Sequence, residues 1–139
     1  GGTADNVVPA QTVLTVDCRV EQAGEKERLE QCFASLAVQG VPGATVELRG
    51  GLNRPPMPTS SSTTLFPLAV EAAQQVGIGH IDGVHVGGGS DGNFTAAVGV
   101  PTLDGLGAVG GGAHADHEYV LVEHLVPRAQ LVTALIERL

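Results

Sequence analysis

Thirteen of the chain's twenty glycines fall between Gly77 and Gly112. No other feature limits the fold as much. Glycine loses more backbone freedom on ordering than any other residue and weakens helix and strand interiors. Long regular elements are therefore excluded from this stretch. Short strands and helices joined by tight loops are expected instead, with the longer helices on either side.

The chain has 139 residues, the size of one domain with a hydrophobic core. Seven Lys+Arg against fifteen Asp+Glu leave a net charge of −8, and Lys26 is the only lysine. A nucleic-acid binder carries a basic patch and anionic lipid recruits basic segments, so nucleic-acid and membrane partners are excluded. A 42% hydrophobic share with 16% charged residues argues against disorder. No apolar run approaches the roughly 20 residues of a bilayer span, and the start does not read as a signal peptide. The chain begins Gly-Gly-Thr without an initiator methionine, and Met57 is its only methionine. A trimmed or partial polypeptide is expected on that basis. Cys18 and Cys32 are too few for a disulfide framework or a zinc knuckle. They read as buried free thiols, which favours a reducing, cytoplasmic setting.

Along the chain, Thr12 to Val20 nearly alternates Val and Thr, which predicts a strand. From Glu25 to Val38, Leu29, Cys32, Phe33, Leu36 and Ala37 follow helical spacing, and Gly40 and Pro42 stop the helix. Ala44 to Leu48 reads as a second strand. Arg49 to Ser62 is rich in Gly, Pro and Ser and reads by default as a flexible linker. Thr63 to Val76 is helical, with Leu65, Leu68, Ala69, Ala72, Ala73 and Val76 on one face. Strands are predicted at Asp82–Val86 and Val100–Leu103, a helix at Asp91–Val98 and an extended piece at Glu118–Val122. Pro127 opens a last helix that runs to the C-terminus. Alternating helices and strands suit an α/β fold, a parallel or mixed sheet covered by helices. No internal repeat is evident.

Two constellations can carry chemistry. Gly87-Gly88-Gly89-Ser90-Asp91-Gly92 lies between a strand and a helix. Ser90 or Asp91 can cap that helix, and exposed N–H groups there favour a carboxylate or phosphate. No Gly-Lys-Ser/Thr follows and the glycine spacing is not that of a dinucleotide fingerprint, so a nucleotide site is excluded. The second runs from Gly110 through His114, Asp116, His117 and Glu118 to Val120. Imidazole and carboxylate groups after a glycine run suit a metal site, because a histidine there can be aimed without a bulky neighbour. The spacing is not His-Glu-x-x-His, so a surface or hydrogen-bonded histidine fits the residues as well. His80, His85 and His124 sit apart and read as ordinary surface or hydrogen-bonded histidines, and the metal-ligand spacing of His80-Ile81-Asp82, which lacks a second carboxylate nearby, reads as coincidence. Ser90 lacks the Gly-x-Ser-x-Gly setting of a serine nucleophile.

Together these residues resemble the M20 family of metallopeptidases. Gly2-Thr3-Ala4-Asp5-Asn6-Val7-Val8-Pro9, followed by a Val/Thr strand holding Asp17 and Arg19, is similar to the family's dimerisation, or lid, domain. Gly88-Gly89-Ser90-Asp91-Gly92 resembles its glycine-rich loop. Gly112-Ala113-His114 with Glu118-Tyr119-Val120 resembles its closing Gly-x-x-His…Glu-Tyr-Val motif. The nearest branch resembles the glutamate carboxypeptidases and related N-acyl-amino-acid deacylases.

The resemblance implies a partial α+β lid domain over residues 1–52 and the C-terminal part of an α/β zinc-hydrolase catalytic domain over 53–139. It implies that His114 ligates one of two zinc ions. Arg54 would clamp the substrate's carboxylate and Asn6 would reach the substrate from the lid, which displaces the linker reading of Arg49–Ser62. Ser90, Asp91 and Gly92 would line the substrate pocket. The implied partners are a small peptide or N-acyl amino acid substrate and a second copy through the lid. The family's other metal ligands and its general base lie upstream of the lid, and no Glu-Glu pair occurs in this chain. The expected function is thus a piece of a zinc-dependent amide hydrolase, inactive by itself. The alternative is a non-catalytic binding or dimerisation module of the same shape.

Overall fold

A computed structural model of the chain describes residues 1–38 and 42–139. Its elements are α1 (Ala23–Val38), α2 (Leu65–Gln75), α3 (Gly92–Ala97), β1 (Gly110–Gly111), β2 (Tyr119–Val120) and α4 (Leu125–Ile136). Single 3-10 turns occupy Thr59–Ser62 and Val122–His124.

The core lies between α2 and α4. Ala69, Ala72 and Ala73 of α2 meet Leu131, Ala134 and Leu135 of α4. Four of these six side chains are alanines, so the helix backbones can approach closely. Leu68, Val76, Ile78, Ile81, Leu103 and Leu106 ring the cluster, and the last four bring the glycine-rich stretch onto it. Pro67 and Pro127 each stand third in their helix, within the first turn, where no intrahelical N–H is needed. Arg138 at the end of α4 donates to the Gln75 side chain at the end of α2.

All four predicted helices form within a few residues of their expected ends. Gly40, expected to stop α1, lies outside the described residues, as does the Ala37 side chain. The predicted sheet does not form. Thr12–Val20, Ala44–Leu48, Asp82–Val86 and Val100–Leu103 carry no ladder, and β1 with β2 is the only paired sheet among the described residues. A strand needs a partner within about 4.8 Å in the hydrogen-bonding direction, and alternation alone does not supply one. Mixed helix and strand content remains compatible with an α/β class. The thiol expectation is corrected as well: Cys18 and Cys32 are free but exposed. Cys18 lies in an extended segment without a covering layer, and Cys32 on a helix with no buried residue among those described. No helix among the described residues is long and apolar enough to cross a membrane.

Candidate functional site

The segment read as a linker is pinned instead. Thr102 donates its N–H to the Ser61 carbonyl at 2.8 Å, and Ser62 Oγ donates to the Thr102 carbonyl at 2.9 Å. Asn93 Nδ2 donates to the Pro55 carbonyl at 2.8 Å. These bonds set residues 54–57 against the turn that opens α3.

That turn is built from its own polar groups. Gly92 N–H donates to Ser90 Oγ at 3.0 Å and Ser90 N–H to Asn93 Oδ1 at 2.8 Å. Ser90 and Asn93 thus do the local hydrogen bonding expected of a cap. The Asp91 carboxylate, expected as an alternative cap, makes no capping bond. It accepts from Arg54 Nη1 at 3.1 Å instead. The Arg54 guanidinium also lies 5.0 Å from the centroid of the Phe94 ring, within reach of a cation–π interaction. Gly89 borders the same side chain: a Cβ there would sit 3.0 Å from Arg54 Cδ. Arg54 is thereby held along its stem, across one face and at one nitrogen. Nε and Nη2 have no hydrogen-bond partner among the described residues. A guanidinium edge with two free N–H groups matches a carboxylate in geometry and charge.

A second arginine flanks the loop, and each of its three guanidinium nitrogens has a partner. Arg19 donates from Nε and Nη2 to Asp17 Oδ2, at 3.3 and 3.1 Å, and from Nη1 to the Gly87 carbonyl at 2.8 Å.

His114 stands apart from this cluster, at the end of the β1–β2 hairpin. Gly110 pairs with Val120 and Gly111 with Tyr119. The strands cross so tightly that a Cβ on Gly110 would fall 2.0 Å from the Tyr119 carbonyl oxygen. The loop between them turns through two left-handed residues, Gly112 at φ 69° and His114 at φ 67°. His114 is the one non-glycine with positive φ among the described residues. Such a conformation is uncommon for a residue with a side chain. It holds the imidazole exposed on the loop, with the His114 N–H donating to Glu118 Oε2 at 3.4 Å. The approach to the hairpin is fixed from α4. Arg128 donates from Nε to the Leu106 and Gly107 carbonyls at 3.1 and 2.9 Å, and from Nη2 to the Gly105 carbonyl at 2.5 Å.

The site residues predicted from sequence therefore divide. Arg54, Ser90, Asp91 and Gly92 come together. His114 shares no hydrogen bond or ion pair with them among the described residues. Asn6 lies in an exposed turn, next to the Val7 N–H bond to the Ala4 carbonyl at 3.3 Å, and likewise makes no bond to the cluster. Asn93, Phe94 and Arg128 were not predicted. Asn93 was legible as the residue three after a serine at a helix start, where side chain and backbone exchange bonds. Phe94 and Arg128 carried no local signal. His80 Nε2 lies 2.8 Å from Asp82 Oδ1, a local hydrogen bond between two exposed side chains.

The model of peptidase family M20/M25/M40 matches residues 2–138. The chain belongs to this family. No curated protein and no solved structure matches it. Membership in the M20/M25/M40 peptidases brings a metallohydrolase-type function in general, and members use zinc or other metals. The residues in hand do not fit a complete metal site. No group of three or more His, Cys, Asp or Glu is placed to hold an ion among the described residues. His114 can offer one nitrogen, and a protein zinc site takes at least three protein ligands.

Proposed function

We infer that the chain supplies the substrate-binding loops and one metal-ligating histidine of a zinc-dependent M20 hydrolase. The bond cut is an amide or peptide bond next to a carboxylate-bearing amino acid. The observation that carries this reading is Arg54, fixed by Asp91 and Phe94 with its Nε–Nη2 edge free. The carboxylate of a small peptide or N-acyl amino acid binds that edge. Ser90, Asp91 and Gly92 line the pocket, and Asn6 contacts substrate from the lid. His114, held out by its left-handed backbone, contributes one of several ligands. The others, with the general base, come from outside these 139 residues. In a complete enzyme, bound zinc would supply Lewis-acid polarisation of the scissile carbonyl and a lowered water pKa, with His114 as this chain's one candidate ligand.

In this reading residues 1–52 belong to a lid that pairs two copies, and 53–139 to the catalytic domain of a cytoplasmic enzyme. Glutamate carboxypeptidases and N-acyl-amino-acid deacylases are the two subtypes it allows. The 139 residues alone are inactive. The test is hydrolysis of N-acyl amino acids with added zinc, by this chain alone and by a longer polypeptide carrying the remaining ligands. Turnover is expected only from the longer form. Turnover by the chain alone, or none from the longer form, overturns the reading.

A further inference from the structure

The two ends of the glycine loop are held by different parts of the chain. Its exit is fixed locally, by the bonds of Ser90 and Asn93 in the turn that opens α3. Its entry has no such support. From Gly79 to Gly89 no residue makes a backbone–backbone hydrogen bond among those described. Ile81 touches the rim of the core and Gly83 lies against the Phe66 ring, but packing ends there. Val84 and Val86 stand 76% and 74% exposed. A Cβ on Gly88 would meet nothing within 4 Å, and one on Gly87 would meet only Arg19 Nη1, at 3.7 Å.

What reaches the entry comes from far earlier in the chain. Arg19 Nη1 donates to the Gly87 carbonyl at 2.8 Å. Glu21 Oε1 lies 3.5 Å from His85 Nδ1. Two residues forward in one segment thus match two residues back in the other, the spacing of antiparallel neighbours. Side chains make both rungs. Asp17 stands two positions before Arg19, on the same face of an extended chain. Its Oδ2 accepts from Arg19 Nε and Nη2 at 3.3 and 3.1 Å. Anchoring two nitrogens of the rigid guanidinium on one carboxylate leaves the third aimed at the carbonyl. We propose that Arg19 is a positioning residue for the glycine loop, tying the extended segment Thr12–Val20 to the loop's entry, and that Asp17 acts through it. The conformation of Gly87–Gly89 then depends on where that segment lies, while Ser90–Asn93 keeps its shape without it. This role stands on contacts within the chain and not on what the loop binds. Where the loop lines a substrate pocket, as inferred above, the tie carries displacement of the segment to that pocket.

The test is NMR of the full 139-residue chain, reading the Gly87 carbonyl carbon and the backbone order parameters of Gly88 and Gly89. Arg19→Met keeps the stem and removes the donors. The Gly87 carbonyl resonance should then move upfield, as it loses a charge-assisted donor. The two order parameters should fall from about 0.85 to about 0.6 or below. Asp17→Ala should give the same changes in smaller measure. Added to Arg19→Met it should change nothing more, because its effect passes through the guanidinium. Ser90, Asn93 and Leu131 are the internal references and should not respond. An unmoved Gly87 carbonyl, or unchanged order parameters, in Arg19→Met overturns the tie. Additive effects of Asp17→Ala and Arg19→Met overturn the part given to Asp17. A change spread equally to Ser90, Asn93 and Leu131 makes Arg19 a support of the whole fold and overturns its local role. None of these outcomes bears on Arg54 or His114, and failure of the hydrolysis test leaves the tie standing.

Discussion

Residues 1–52 and 53–139 use apolar side chains in opposite ways. In the longer part, alanines of α2 and leucines of α4 close a small core, and Leu131 is 0% exposed. In the shorter part no described residue is buried. Val13 and Leu14 stand 78% and 83% exposed, and α1 covers none of its apolar face fully. Hydrophobic character is similar in the two parts, but only one finds partners within the chain. Burial, not composition, separates the part that organises a loop cluster from the part that lies open. The links between them are polar: Arg19 donates to the Gly87 carbonyl, and His85 Nδ1 lies 3.5 Å from Glu21 Oε1.

The sharpest way to break this contrast is to truncate one leucine in each part. Leu131→Ala removes the largest fully buried side chain from a core of six residues. A loss of about 2–5 kcal/mol is expected, because the buried methyl groups go and the helices cannot fully close the gap. Leu14→Ala should stay within about 0.5 kcal/mol. Urea unfolding followed by circular dichroism checks both. Equal losses would mean that residues 1–52 are packed as tightly as the helices.

Within the packed part, the hairpin depends on contact distance more than on burial. Gly110→Ala places a methyl group on the Tyr119 carbonyl oxygen, a backbone atom that cannot swing away. A cost of about 1–3 kcal/mol is expected, as for overpacking elsewhere, and β1–β2 pairing should be lost. Hydrogen exchange at the Leu121 amide, which bonds the Val109 carbonyl at 2.8 Å, reports it. Unchanged protection there would sink the idea. Arg128→Met keeps the stem and removes the donors to three carbonyls. About 1 kcal/mol is expected, since the group is only half-buried and water replaces part of each bond. Faster exchange should appear at the same amide, with the α2–α4 core intact.

The same contrast decides what could be read from sequence. Helices were legible because their signal is local: the spacing of Leu68, Ala69, Ala72, Ala73 and Val76 fixes a face, and the same residues then form the core or its rim. Strands were not, since Thr12–Val20 alternates as a strand should yet has no neighbour to pair with. Arg54, Asp91 and His114 could be picked out from motifs. Their geometry could not, because Arg54 and Asp91 are 37 residues apart. Nothing local in Arg49–Ser62 marks the bonds from Asn93 and Thr102 that turn a presumed linker into one wall of the cluster. Asp91 was a fair candidate for capping α3, and only the nearby guanidinium explains why its carboxylate turns away.

The smallest effect belongs to α1, where surface charge stands in for packing. Glu25 in the first turn accepts from Arg28 Nε at 2.8 Å, with Nη2 2.7 Å from the same oxygen. That hydrogen bond, followed by the arginine's charge, holds the Glu25 carboxyl below the ordinary glutamate range. An acid lowered in the folded state contributes stability above its unfolded pKa and loses it as pH falls through the folded value. α1 should therefore loosen slightly in mild acid while the α2–α4 core does not respond. Both side chains remain open to solvent, Arg28 at 63% and Glu25 at 46%, so the response is small and screened by salt. The Glu25 carboxyl carbon followed by NMR through an acid titration should have a midpoint below that of an unpaired glutamate, returning to the ordinary range in Arg28→Ala. An unchanged midpoint in that variant would show that α1 has support other than this pair, and the division between the two parts would then lie elsewhere than at burial.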